Sequence, residues 1–359
     1  MWITSSPTSA KKPTKIALGN FDGVHLGHQR VIEPVLTHKG GLPSLILADD
    51  MCLQASAASG YSHLPGASSS VLERPTSPLE LTEWASVVTF FPHPKEFFSG
   101  RARPLLTPLE EKSRQLACLG VDQLVLLPFN AELANLDAAT FVERVLIHDL
   151  QATHISVGSD FHFGKGRGGN AELLSAIATR HNIPVTIVPL HNDGEGRISS
   201  SRIRQALTDG KLARANQLLG RPYTLTGIVV PGKQLGRTIG FPTANLKLPR
   251  DKFIPRQGVY SVKAFGILPE QKPVLGVMNI GNRPTVAGQD LSVEVHLFDW
   301  TSDIYTETLT VSLESFIRPE QKFESLAVLQ EQISRDCATA RAIFANNTSG
   351  DYASAATQP

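Results

Sequence analysis

Short apolar runs alternate with helical patterns through the first 210 residues. Residues 16–18 read as a buried strand. A tight turn follows at Gly19-Asn20-Phe21-Asp22-Gly23, and then a helix with Val31, Ile32, Val35 and Leu36 on one face. Pro34 inside that helix lacks a backbone donor and predicts a kink. Residues 45–47 start a second strand, after which the pattern dissolves. Residues 50–86, rich in Ser, Ala, Pro and Gly, read as a mobile insertion, either a tolerated loop or a regulatory one. Strand 87–91 is broken by Pro92-His93-Pro94. The next helix is marked by Thr107 as cap, Pro108 in the first turn, Glu110 closing a capping box and Gly120 at its end. Strand 124–127, helix 138–150, strand 154–157 and strand 183–190 come next. A helix then opens at Ser200 or Ser201 and buries Ile203 and Leu207 before Gly210. Strand–helix alternation over 15–210 predicts an α/β domain with a doubly wound parallel sheet.

Past a short amphipathic helix at 211–220 the period changes. Residues 223–230, 258–265, 274–280, 292–298 and 308–315 read as strands, most of them alternating, with no helical pattern between. That predicts a small antiparallel barrel over 221–344, closed by a helix at 324–344, and then an unstructured tail at 345–359.

With 359 residues there is room for two such cores, and 41% apolar with 19% charged residues is an ordinary soluble composition. The net charge of +1 gives no electrostatic reason to expect nucleic acid or a membrane surface. Cys52, Cys118 and Cys337 form neither a disulfide framework nor a metal pattern. No run is long and apolar enough for a membrane span, and the N-terminus lacks the apolar core of a signal peptide, so a cytoplasmic enzyme is expected.

Candidate chemistry clusters after the strands. His25 and His28 stand with Gly27 at a helix start, where unpaired N–H groups and the positive dipole end attract anions. Gly19, Gly23 and Gly27 let a polyphosphate approach the backbone, and imidazoles suit donation to oxygens that gain charge in a transition state. His93 could face ligand or solvent. Five glycines within 158–169, with Lys165 and Arg167, suit either a loop laid on phosphate or a flexible basic loop. Ser200, Ser201 and Arg204 make a second anion site at a helix start, whereas Arg202 fits solvent as well. In the second half, Gly232, Gly236 and Gly240 read as a hairpin or a phosphate loop, and Thr243 and Asn245 offer neutral oxygens suited to Mg²⁺. Glu294 lies on the opposite strand face to Val293, Val295 and Leu297, which alone suits a solvated glutamate.

G-N-F-D-G-V-H-L-G-H resembles the phosphate-binding motif of the HxGH nucleotidyltransferases, in the form found in bacterial bifunctional riboflavin kinase/FAD synthetases. F-F-P-H-P, G-S-D-F-H-F-G and I-S-S-S-R-I-R stand in that family's order, and P-T-A-N at 242–245 is similar to its riboflavin kinase signature. The resemblance implies ATP-phosphate contacts for Gly19, Phe21, Asp22, Gly23 and Gly27, with His25 and His28 stabilising the transition state. It places His93, Asp160 and Phe161 on the flavin side, and Ser200, Ser201 and Arg204 on ATP. In the barrel it implies phosphate contacts for Gly232, Gly236, Arg237 and Gly240, Mg²⁺ on Thr243 and Asn245, and Glu294 as general base. The expected partners are riboflavin, FMN and ATP, with FMN and FAD as products, no nucleic acid and no membrane, in a monomer or transient homo-oligomer. Four positions depart from the pattern: Phe91, where an acidic or polar residue is common; Ser201, where threonine is, the hydroxyl being kept; Leu235, where arginine is; and Thr306, where glycine is. A different adenylyltransferase fused to an unrelated barrel is disfavoured by P-T-A-N. A flavin-binding regulator without turnover is disfavoured by the intact His25, His28, Asn245 and Glu294.

Overall fold

The computed structural model describes residues 1–36, 83–232, 235–269, 272–285 and 288–355. The expected strand at 45–47 and nearly all of the expected insertion lie outside them. The described residues form two compact units, one of 1–36, 83–103 and 112–197, the other of 104–111 and 198 onward.

In the first unit, β1 (Trp2–Thr4), β2 (Thr14–Leu18), β3 (Trp84–Phe91), β4 (Gln123–Pro128) and β5 (Ala152–Gly158) precede a two-stranded ribbon of β6 (His162–Phe163) and β7 (Gly169–Asn170). After β8 (Val185–Val188), the main sheet is complete in the order β1-β4-β3-β2-β5-β8, every pairing parallel. The strands alternate sides as the pleat requires. Ile16, Leu18, Val88, Val125 and Leu127 join one core cluster with Phe141, Val142 and Leu146, while Ala17, Val87, Leu124 and Leu126 join the other with Val31, Ile32 and Val35. Both faces are covered, as a doubly wound sheet demands.

Several local expectations need correction. β1 was missed because three residues are too few for a pattern, and β3 begins at Trp84 inside the expected insertion. The kink at Pro34 takes the form of a helix ending at Ile32 followed by a 3₁₀ turn, Glu33–Val35. The helix expected at 138–150 is α-helical only at Ala138–Thr140 and continues as a π-helix over Phe141–Asp149. Cys118 is disulfide-bonded, contrary to the expectation from spacing, and among the described residues only Cys337 is a free thiol.

The second unit is a closed barrel of six strands, not five: β9 (Tyr223–Val230), β10 (Ala244–Lys247), β11 (Gly258–Phe265), β12 (Val274–Thr285), β13 (Gly288–Leu297) and β14 (Thr308–Pro319). β10 was hidden because its four residues start on the last two of P-T-A-N and alternate too briefly to show. It closes the wall between β9 and β13. The last helix, Leu326–Ala355, packs Ile333, Cys337, Ala340 and Phe344 against Val259 and Val277. Its backbone continues past Phe344 to Ala355 where an unstructured tail was expected. Ser199, not Ser200 or Ser201, caps the Ser200–Thr208 helix, its Oγ accepting from the Arg202 N–H.

Segment 104–111 is stitched to the barrel. Leu105 bridges Lys252, and Lys252 Nζ, fully buried, donates to the Leu106 carbonyl at 2.8 Å and to the Glu111 carboxylate. The Thr226 N–H of β9 donates to the same carboxylate, and the ammonium lies 4.4 Å from the Tyr223 ring centre. Removing one partner leaves a buried charge unpaired, so Lys252→Met should destabilise this unit by about 3–5 kcal/mol. Lys252→Met/Glu111→Leu should recover most of that. Hydrogen exchange of the β9 and β14 amides in urea measures both.

Candidate functional site

β2 lies at the centre of the first sheet with β3 on one side and β5 on the other, so the direction of winding reverses there. Crevices at the carboxyl ends of parallel strands open at such reversals. The two segments leaving the sheet at this point are 19–28, after β2, and 158–161, after β5.

Gly19 donates its N–H to the Val88 carbonyl at 3.2 Å. The Asn20 carbonyl accepts from Thr89 Oγ1 at 3.2 Å and from Lys112 Nζ at 3.0 Å. The chain then turns through left-handed conformations at Phe21 (φ 49°), Gly23 (φ 92°) and Val24 (φ 43°). Only Gly23 adopts that region without strain. Phe21, Asp22, Val24 and His25 are all buried.

His25 caps the Leu26–Ile32 helix, its Nδ1 accepting from the His28 N–H at 3.2 Å. In the neutral ring the proton therefore sits on Nε2, which becomes a donor. The His25 and His28 rings stack with centres 3.6 Å apart and planes 14° apart, and Phe21 meets His28 edge-on at 5.3 Å. Gly27, in the first turn of the helix, adds no side chain beside them.

His93 caps the Pro94–Ser99 helix, its Nδ1 accepting from the Lys95 N–H at 3.1 Å, so the P-H-P stretch starts a helix and is not a free loop. Burial, then the Arg103 charge, lower its pKa to about 4, against an opposing pull from Asp22. His93, Asp22, Arg103 and Lys112 therefore share one electrostatic neighbourhood. Burial also lowers the Lys112 pKa, with Asp22 again opposing. Lys112 and Thr89 carried no functional signal in the sequence, because a lysine on a helix and a threonine in a strand are ordinary there. Asp160 is ion-paired with Arg197, and Phe161 stacks on Phe163 at 5.8 Å. Phe91 is 57% exposed.

Ser200, Ser201 and Arg204 fall in the second unit. There Arg204 donates to the Pro104 carbonyl at 3.1 Å and lies over the Phe253 ring.

The barrel carries its own cavity, of about 340 Å³, between the wall and the final helix. Asn245 of β10 pairs with Glu294 of β13, and Glu294 with Asn279 of β12, so three polar side chains stand abreast on adjacent strands and line it. Glu294 accepts from Thr243 Oγ1 at 3.1 Å and from Ser292 Oγ at 3.0 Å. Gly236, in the short Leu235–Thr238 helix, also lines the cavity. Gly232 lies against the Asn245 side chain, where any Cβ would collide with it. Arg237 is exposed and Gly240 turns the chain at φ 85°. Thr306 holds φ 68°, a left-handed value that suits glycine better than a β-branched residue.

Four further residues line the cavity to which the sequence reading gave no role: Arg318, Asp336, His296 and Asn279. Arg318 of β14 makes a bidentate pair with Asp336 of the final helix at 2.7–3.1 Å, and Gln332 supports Asp336 at 2.9 Å. His296 donates from Nδ1 to the Pro242 carbonyl at 2.8 Å, and Asn279 completes the row beside Glu294. Asn279 lies in N-I-G-N-R-P-T, but Asp336 on a polar helix face gives no cue in the sequence.

The low His93 value has a testable sign. Unfolded imidazole, near 6.5, binds a proton that the folded ring refuses until about pH 4. The associated stability is full above 6.5 and is lost as pH falls towards 4. An NMR titration should give His93 a midpoint near 4, and a midpoint near 6.5 would contradict the burial.

The two halves match two family profiles, FAD synthetase over residues 8–48 and 77–202, and riboflavin kinase over residues 219–344. The bifunctional riboflavin kinase/FMN adenylyltransferase of Escherichia coli K12 is 38% identical over 92% of both chains. The Listeria monocytogenes protein of the same description is 37% identical, and the Bacillus subtilis one 34%, each over 92% of both chains. A solved structure from Streptococcus pneumoniae, described as a macrolide-efflux protein, superposes with a TM-score of 0.72 at 30% identity, covering 93% of this chain and 96% of that one. Among the described residues here, no helix is long and apolar enough to cross a membrane.

Proposed function

The chain belongs to the bifunctional riboflavin kinase/FMN adenylyltransferase family, and from that premise we propose which residues perform each half of its chemistry. The C-terminal riboflavin kinase domain phosphorylates riboflavin to FMN with ATP, and the N-terminal FAD synthetase domain transfers AMP from ATP to FMN. The observation that carries the residue assignment is that the two candidate sets fall in separate compact units, His25 and His28 in one and Thr243, Asn245 and Glu294 in the other.

In the kinase half Glu294 takes the proton of the riboflavin 5′-hydroxyl as that oxygen attacks the γ-phosphorus of ATP, and ADP leaves. Ser292 and Thr243 hold the carboxylate in place for this. Because Thr243 donates its hydroxyl hydrogen to Glu294, its lone pairs remain for a cation, and Asn245, which lines the same cavity opposite Glu294, offers a second neutral oxygen. Two neutral oxygens with room for phosphate suit Mg²⁺, which binds through few protein ligands and keeps substrate oxygens and water. Bound there, Mg²⁺ would neutralise charge on the transferring phosphate. Gly232, Gly236, Arg237 and Gly240 border the nucleotide.

In the adenylyltransferase half an FMN phosphate oxygen attacks the α-phosphorus of ATP and diphosphate leaves. His25 donates from Nε2 and His28 from the ring stacked on it, towards phosphate oxygens whose charge grows in the transition state. Gly19, Phe21, Asp22, Gly23 and Gly27 shape that pocket. His93, neutral by burial, donates from Nε2 on the flavin side with Asp160 and Phe161. We place the enzyme in the cytoplasm, acting on small molecules without nucleic acid, as a monomer or transient homo-oligomer; the net charge of +1 supports the exclusion of nucleic acid.

Riboflavin with Mg-ATP, sampled over time and separated by chromatography, tests the division. His28→Ala should lower FAD formation by about 10²–10³-fold and spare FMN formation. Glu294→Gln should lower FMN formation by about 10²–10⁴-fold and spare FAD formation from supplied FMN. One substitution abolishing both steps in a folded chain would overturn separate sites.

A further inference from the structure

We propose that Lys112 is a positioning residue of the adenylyl transfer: with Thr89 it clamps the Asn20 carbonyl and so locks the turn that carries His25 and His28. The inference rests on the assignment of those histidines made above.

The geometry is specific. Lys112 projects from the Leu109–Cys118 helix into the first unit and is only 9% exposed, an unusual place for an ammonium. Its Nζ donates to the Asn20 carbonyl at 3.0 Å, and Thr89 Oγ1, from β3, donates to the same oxygen at 3.2 Å. A carbonyl with two lone pairs is thus held from two different elements, a helix and a strand. The next residue, Phe21, enters the left-handed region, and Val24 does the same three residues on. A β-branched residue with positive φ persists only where its surroundings over-determine it. Without a fixed point at Asn20, the peptides between residues 20 and 25 could relax to ordinary angles. His25 would then lose its place as cap, and the ring of His28 stacked on it would lose its alignment. Burial of a charged clamp is explained if position matters to catalysis, since Thr89 and the neighbouring core already satisfy the fold.

The experiment compares Lys112→Met, which keeps the stem and removes the charged donor, with Lys112→Arg, which restores one. Both are assayed in the full chain with FMN and Mg-ATP, and riboflavin phosphorylation by the same molecule serves as the folding control. Lys112→Met should lower kcat of FAD formation by about 100-fold, the effect of small misplacement, while KM for ATP stays near wild type and FMN formation is unchanged. Lys112→Arg should recover most of the lost kcat. Thr89→Val, the second donor, should lower the same kcat by a smaller factor, and it decides the matter if Lys112→Met does not fold. A wild-type kcat in a folded Lys112→Met overturns the proposal, as does a wild-type kcat in Thr89→Val. Equal losses in Lys112→Met and Lys112→Arg would show that a charged donor at this position does not restore the turn, and would overturn the proposal. If His28→Ala also retains FAD formation, the histidine assignment itself fails; if only Lys112→Met retains it, this inference fails alone.

Discussion

Everything at the nucleotidyltransferase end depends on burying Phe21 and Val24 in a turn neither residue favours. Each left-handed non-glycine residue costs of order 1–3 kcal/mol. Burying a phenylalanine or valine side chain returns about 1.5–3 kcal/mol. Both side chains are 1% exposed and lie in one cluster with Val31, Ile32, Val35 and Leu116. The two magnitudes are comparable, so the strained backbone is tolerated but has little margin. That is why hydrogen bonds at Asn20 and the His25 cap matter more here than they would in a relaxed turn. The apolar residues of the motif and the polar ones are therefore two halves of one device: the first are driven inward, and the second are carried to the crevice by that movement.

The barrel reaches a comparable precision by another route. Asn245, Glu294 and Asn279 stand abreast because antiparallel register aligns three strands, and the pleat sends alternate residues to one face. No strained angle is needed at those three positions. The final helix lines the cavity and is tied down by a buried charged contact, the Arg318–Asp336 pair, by an exposed one, Arg341–Asp299, and by apolar contacts through Val259, Val277 and Phe344. Asp336 is only 5% exposed, so that pair is desolvated and directional, and it sets where the helix crosses the cavity.

Legibility in the sequence followed the length over which a pattern repeats. Parallel strands buried on both faces and the long alternating strands of the barrel were readable because several successive residues report the same environment. β1 and β10 were not, since three or four residues cannot establish a period. The π-helical stretch at Phe141–Asp149 escaped because its apolar spacing is also that of an α-helix. Among the candidate site residues, those in contiguous motifs drew notice in the sequence: His25, His28, Thr243 and Asn245. Lys112, Thr89, His296 and Asp336 did not, because their roles arise from contacts with residues far along the chain. The capping serine shows the smallest such error. Three serines in a row fit the composition of a cap, and only backbone angles distinguish Ser199 from its neighbours.

The chemistry of the two nucleophiles accounts for the residue types assigned to the two sites. A riboflavin hydroxyl is neutral and must lose a proton as it attacks, so a carboxylate with hydrogen-bonded orientation belongs beside it. An FMN phosphate is already anionic. A carboxylate at that position would repel it, and no base is required; what the reaction needs is donors for the charge that gathers on the phosphates of ATP. The proposed donors suit that need: the His28 N–H engages Nδ1 of His25 and leaves the neutral ring's proton on Nε2, His28 stacks on that ring, and burial lowers the pKa of His93 and so favours its neutral form. The product of one half is the nucleophile of the other. The change from Glu294 to paired histidines therefore mirrors the change in charge that the first reaction makes in its own substrate.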